Sequence, residues 1–213
     1  MSVSLWKLET RFRNGWYYLL GAMLRLYLKI HGCNVGKKLR CEGWPQFGTV
    51  PRRNITFGNR VCIGKRVRFD VYGEGRIEVA DRVTFRQDVV ISILLSISIG
   101  EMSSFAEGVS IRDADHLHTI EEEIMPRYHL AEPIAIGRYV GLGPGVVVTR
   151  GSIIPDGVII GPHCVITKGS QLVTNGMYFG TPPILIGKRR PAEALLNAKN
   201  LQPLLIDRVK LAR

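Results

Sequence analysis

The stretch "PIAIGRYVGLGPGVVVTRGSIIPDGVIIGPHCVITKGSQL", residues 133–172, decides how this chain folds. An aliphatic residue returns at every sixth position: Ile136, Leu142, Val148, Ile154, Ile160, Ile166 and Leu172. Leu, Ile and Val are 61 of the 213 residues, so seven successive hits in one register have a chance probability on the order of 10⁻⁴. A small or β-branched residue stands four places after each anchor, at Val140, Val146, Ser152, Val158, Cys164 and Ser170. Gly137, Gly143 and Gly161 follow their anchors directly. Helical spacing does not produce a period of six, and simple alternation does not explain the glycines. A chain that lays down a short strand, turns a corner and lays down another explains both. The anchor points inward, and glycine or a small residue eases the corner. Coils then stack about 4.8 Å apart and pair their backbones, so the period predicts a β-solenoid.

The same step runs upstream in shorter pieces: Phe57, Ile63, Phe69; then Val79, Phe85, Ile91; then Ile99, Phe105, Ile111, Leu117. It fails at "VYGEGRIE", within "ISILLSIS", and across 118–135, where an excursion loop is expected. Three segments follow: a basic amphipathic helical segment over 1–34, a solenoid over 35–187, and a basic helical tail over 188–213. Pro191 starts that terminal helix.

Composition limits the function classes. The net charge of +11 resides at the two ends, with +7 in residues 1–40 and +5 in 188–213, so the solenoid itself is close to neutral. No nucleic-acid-binding signature accompanies the charge, and nucleic acid is not expected as a partner. Cys33, Cys41, Cys62 and Cys164 show no C-x-x-C spacing, which argues against a zinc knuckle, a redox pair or a disulfide framework. The apolar run 16–30 is interrupted by Arg25 and Lys29 and is shorter than the ~20 residues of a spanning helix. Trp6, Trp16, Tyr17 and Tyr18 among cations suit a helix lying in a membrane interface. The equal alternative is an apolar stripe that covers one end of the solenoid.

The pattern resembles the hexapeptide-repeat acyltransferases. It is closest in "PIAIGRYVGLGPGVVV", "VIIGPHCVITKG" and "GTPPILIGKR", which are similar to the last coils of maltose/galactoside and O-antigen or capsule O-acetyltransferases. The resemblance implies an all-β fold, a left-handed parallel β-helix with three hexapeptides per triangular coil. It also implies a homotrimer, acetyl-CoA as acyl donor, and no metal.

It directs attention to "IRDADHLHT", residues 111–119. His116 lies five residues after an anchor and just before the excursion, where the resembled enzymes carry their general base. Imidazole can accept a hydroxyl proton at neutral pH. Asp113 or Asp115 would orient it, and the sequence does not choose between them. With His118 and His129, His116 could instead ligate zinc, as in the γ-class carbonic anhydrase-like group.

For the donor, Thr167 and Lys168 match a pair that lines the coenzyme A groove in the resembled enzymes. Lys188, Arg189 and Arg190 would meet the nucleotide end. Gly143, Gly161 and Pro162 would let the pantetheine arm approach the backbone. On the acceptor side, Arg86 and Leu94 stand where galactoside-type enzymes carry Asn and Asp. That turns attention from free galactosides to Arg86 and Asp88 as contacts for another glycan. The function expected is O-acetylation of a surface-polysaccharide or glycolipid precursor, in the cytoplasm and on the inner face of a membrane through residues 1–32. N-acylation of an amino-sugar nucleotide is the alternative.

Overall fold

The computed structural model describes residues 3–117 and 125–191. Helix α1 covers Val3–Ile30, and behind it the chain winds into short strands forming three parallel sheets. The first sheet stacks the strands near residues 34, 55, 77, 97, 135 and 153; the second those near 40, 62, 84, 104, 141, 159 and 177; the third those near 46, 69, 91, 111, 147 and 165. Consecutive strands fall in different sheets while hydrogen-bonded neighbours are one coil apart, the arrangement that the six-residue step predicts. The strand Ile184–Lys188 ends the second sheet by pairing antiparallel with Gly176–Phe179. The tail beyond residue 191, expected as a helix, lies outside the described residues.

The anchors fill the interior. Phe57, Phe69, Phe85 and Phe105 are buried and packed in sequence, with ring centroids 5.2–5.5 Å apart. Val148, Ile154, Ile160 and Ile166 continue the core as aliphatic residues. Leu24 and Leu28 of α1 are fully buried in the same cluster, so one face of the helix caps the end of the solenoid. All four cysteine thiols are free.

Two physical details differ from the sequence reading. The left-handed residue of a corner is not the glycine after the anchor but the residue two places further on. Lys38, Arg60, Arg82, Met102 and Tyr139 take this role on one edge, with φ of 57–58°. Such a conformation costs a non-glycine residue about 1–2 kcal/mol. Stacking offsets it, because each of these N–H groups after Lys38 donates to a carbonyl of the coil before, as in Arg82 N–H to Asn59 O at 2.8 Å. The glycines after the anchors serve close approach instead: a Cβ on Gly100 would stand 2.5 Å from the carbonyl carbon of Gly137.

The second difference concerns Leu117, which is half-buried and not an inward anchor. The chain leaves the solenoid at Asp113, earlier than the 118 that the sequence suggested. Ala114–Leu117 and Met125–Ala131 form an antiparallel hairpin, and the chain rejoins the first sheet at Ile134. Leu117 fits the six-residue step only because a hairpin strand also alternates.

Candidate active site

Coil length locates the site. Asn34 pairs with Thr56, Thr56 with Glu78, Glu78 with Ser98, Ser98 with Ala135, and Ala135 with Ile153. The coils are therefore longer than eighteen residues until the hairpin has passed. Every extra residue falls on the edge joining the third sheet to the first: "VYGEGRIE", "ISILLSIS" and the hairpin lie one above another. Together they wall a cleft of about 980 Å³ lined by Tyr72, Ser92, Leu94, Arg112, Asp115, His116, His129 and Arg150, among others.

His116 is exposed in this cleft on the first hairpin strand, and His129 is its cross-strand partner. Their rings pack with centroids 4.5 Å apart. His118 lies outside the described residues. Among those described, no group of three or more His, Cys, Asp or Glu is arranged to hold a metal ion.

The two aspartates have separate tasks. Asp113 is fully buried, and its oxygens accept the N–H groups of Leu94 and Leu95, each at 2.8 Å. It therefore anchors the root of the hairpin to the coil below instead of orienting His116. Asp115 accepts Arg150 Nε at 2.8 Å. Arg150 also pairs with Glu132, and Glu132 pairs with Lys168. The hydrogen bond from Lys168, with the charge of Arg150 beside it, holds the Glu132 carboxyl below its ordinary range. This chain ties Lys168 to the wall of the His116 cleft. Glu132 and Arg150 carry no motif and escaped the sequence reading, because only the fold sets residues 115, 132, 150 and 168 side by side.

The expected donor contacts divide among three edges. Thr167 and Lys168 are exposed on the cleft edge. Gly143, Gly161 and Pro162 lie on the edge between the second and third sheets. A Cβ on Gly143 would stand 2.9 Å from Pro162 N, and one on Gly161 2.5 Å from the Phe179 ring, so both glycines serve the stacking of coils, while Gly143 also lines an open concavity of about 520 Å³ with Gly141, Ile159 and Ile160. Lys188 ends the exit strand. Arg189 Nη1 donates to Tyr139 O at 3.0 Å on the remaining edge. Nor are the expected acceptor contacts beside His116. Arg86 is exposed on the second sheet, and Asp88 is held by Arg66 through two hydrogen bonds of 2.6 Å.

A parallel three-sheet solenoid with one interrupted edge defines the class of protein, and comparison with known proteins supplies the family. WbbJ of Escherichia coli K12, named for lipopolysaccharide biosynthesis O-acetyl transfer, is 30% identical over 143 residues, which are 63% of this chain and 72% of WbbJ. The Mycobacterium tuberculosis acetyltransferase Rv3034c is 29% identical over 164 residues, 76% of this chain but only 54% of that protein. Among solved structures, AntD, an N-acyltransferase from Bacillus cereus in complex with dTDP and coenzyme A, shares the fold. Its TM-score is 0.64 at 15% identity, covering 80% of this chain and 91% of AntD. The hexapeptide-repeat acetyltransferase VCA0836 from Vibrio cholerae matches at a TM-score of 0.56 and 16% identity, covering 89% and 93% of the two chains. No family model matches. The chain belongs to the hexapeptide-repeat acetyltransferases and is an acyltransferase.

Proposed function

We propose that the protein transfers acetyl from acetyl-CoA to a sugar hydroxyl of a surface-polysaccharide or glycolipid precursor, with His116 as general base. The observation that carries this is the cleft on the single interrupted edge, with an exposed imidazole inside and Lys168 tied to its wall. His116 takes the hydroxyl proton as the oxygen attacks the thioester carbonyl. The thiolate leaves and recovers the proton from the imidazolium, giving an acetyl ester and a free thiol without a covalent enzyme intermediate. Thr167 and Lys168 meet the donor along the same edge. Contacts spread over three edges of one chain support a homotrimer, in which a second copy completes the groove.

The outer face of α1 supports peripheral binding to a membrane. Leu8, Phe12, Trp16, Leu19, Met23, Leu26 and Ile30 are exposed at steps of three or four, a stripe on the side away from the capping face. Arg11 and Lys29 flank it, as anionic headgroups require. No helix among the described residues is long and apolar enough to cross a membrane. The triple substitution Phe12→Glu, Leu19→Glu, Leu26→Glu should abolish co-sedimentation with anionic liposomes, and unchanged sedimentation refutes the membrane role.

Release of free thiol from acetyl-CoA, measured with a hydroxyl-only glycan, tests the chemistry. His116→Ala should lower turnover by ~10²–10⁴ and His129→Ala by less than about tenfold. The reverse ranking moves the base to His129. Thiol release with an amino-sugar nucleotide alone establishes N-acylation instead.

A further inference from the structure

A second concavity, of about 450 Å³, opens on the second sheet where α1 crosses it. Three successive coils furnish its floor in pairs: Lys38 with Arg40, Arg60 with Cys62, and Thr84 with Arg86, while Tyr18 of α1 forms one wall. Coils stack about 4.8 Å apart, so four cations are held at close range by backbone geometry. Two of them are answered within the protein: Arg40 pairs with Glu42 at 2.7 Å and Arg86 with Glu107 at 3.3 Å. Lys38 and Arg60 form no ion pair among the described residues. Asp81, held by Asn59, feels the charge of Arg60 without pairing with it, so the concavity keeps these two cations outside any ion pair.

The neighbouring edge shows that this lack of pairing is not imposed by the fold. There the equivalent corner positions of adjacent coils hold Arg66 and Asp88, which lock together. On the first edge the matching positions hold Lys38, Arg60 and Arg82, a ladder of like charge. One guanidinium is also fixed before any ligand arrives. Arg40 Nη1 donates to Glu42 and, at 3.2 Å, to Cys62 Sγ, and its guanidinium carbon lies 4.9 Å from the centre of the Tyr17 ring. Planar donors held in a concave wall are the means by which proteins take up phosphate oxygens, and the Thr84 hydroxyl adds a neutral donor.

We infer that this concavity binds a phosphate group carrying two negative charges, a phosphomonoester or a diphosphate diester, at a site apart from the His116 cleft of the same chain. The site rests on the placement of cations and not on the acyl-transfer reading. Arg86, which the sequence set beside an acceptor, belongs to it. The phosphate can come from a soluble ester or from a lipid headgroup brought in beside α1.

Titration calorimetry of the full chain with inorganic pyrophosphate, and flotation with vesicles of phosphatidylcholine and phosphatidic acid, test the site and separate the two sources. The double variant Lys38→Gln/Arg60→Gln removes the unanswered cations from the surface, and its thermal midpoint verifies the fold. Its affinity for pyrophosphate should fall by about tenfold or more if the phosphate is soluble, or for the vesicles if it is lipid-borne. A control double variant on the neighbouring edge, Lys65→Gln/Arg66→Gln, should leave both affinities within about twofold. Unchanged binding of both probes by the first variant overturns the site. So does equal weakening by the control, which would show diffuse surface charge.

Discussion

Two edges of this prism are built in opposite ways. The edge between the first and second sheets keeps the six-residue step in every coil, with Lys38, Arg60, Arg82, Met102 and Tyr139 repeating one left-handed corner. The edge between the third sheet and the first breaks that step in four successive coils, the first of them at residues 48–54, before becoming regular at Ile154. On the regular edge only the choice of side chains varies, and the result is a ladder of cations. On the interrupted edge the backbone itself varies, and the result is a walled cleft with two histidines. A solenoid tolerates insertions at a corner because each coil pairs only with its neighbours, so extra chain bulges outward without disturbing the stack.

The strongest way to break this comparison is to make the interrupted edge regular. Replacing residues 113–133 by a two-residue corner restores the six-residue step and removes the histidines. Turnover should fall by at least ~10², the smallest loss expected of a missing general base, while circular dichroism retains the β signal. Turnover that survives places the chemistry elsewhere.

A finer cut is Asp113→Ala, which leaves the Leu94 and Leu95 amides without their acceptor in a buried place. Each orphaned amide costs about 1–3 kcal/mol, so denaturant unfolding should show a loss of about 2–6 kcal/mol. A loss below about 1 kcal/mol would mean that water replaces the carboxylate.

Glu132→Gln releases Arg150 and Lys168 and should raise the KM for acetyl-CoA several-fold with little change in stability, since the pairs are partly exposed. The pH dependence has a definite sign. The Glu132 carboxyl is held below its ordinary range, so its contribution is complete above that range and is lost as the pH falls through the depressed value. Wild type and variant should therefore converge on acidification, and a difference that persists would assign the effect to something other than the charge.

The smallest effect belongs to the edge between the second and third sheets. Arg66→Gln breaks an exposed, bidentate pair with Asp88 and should cost almost nothing in urea unfolding, because solvent screens the pair. A larger cost would show that paired corners stiffen the stack more than surface ion pairs normally do.

Much of the fold was legible because a hexad repeat leaves its period in the chain: the anchors from Phe57 to Ile111 and from Ile136 to Ile166 are buried as the spacing requires. The breaks at "VYGEGRIE" and "ISILLSIS" were visible too, though not that they lie above one another. Leu117 misled because period two and period six coincide over so short a reach. The glycines after the anchors were found for the wrong reason, since a sequence does not show which backbone approaches which.

The sequence by itself determined the solenoid, the family likeness, the position of a histidine at the interruption and the cationic ends. It could do so because periodicity and composition are properties of neighbours along the chain. Only the tertiary structure decided that His129 faces His116, that Asp113 supports the hairpin root, that Glu132 joins Lys168 to Arg150, and that Lys38, Arg60 and Arg86 share one concavity. Those relations join residues from different coils, and only the winding of the chain and the pairing of its strands bring them within hydrogen-bonding reach.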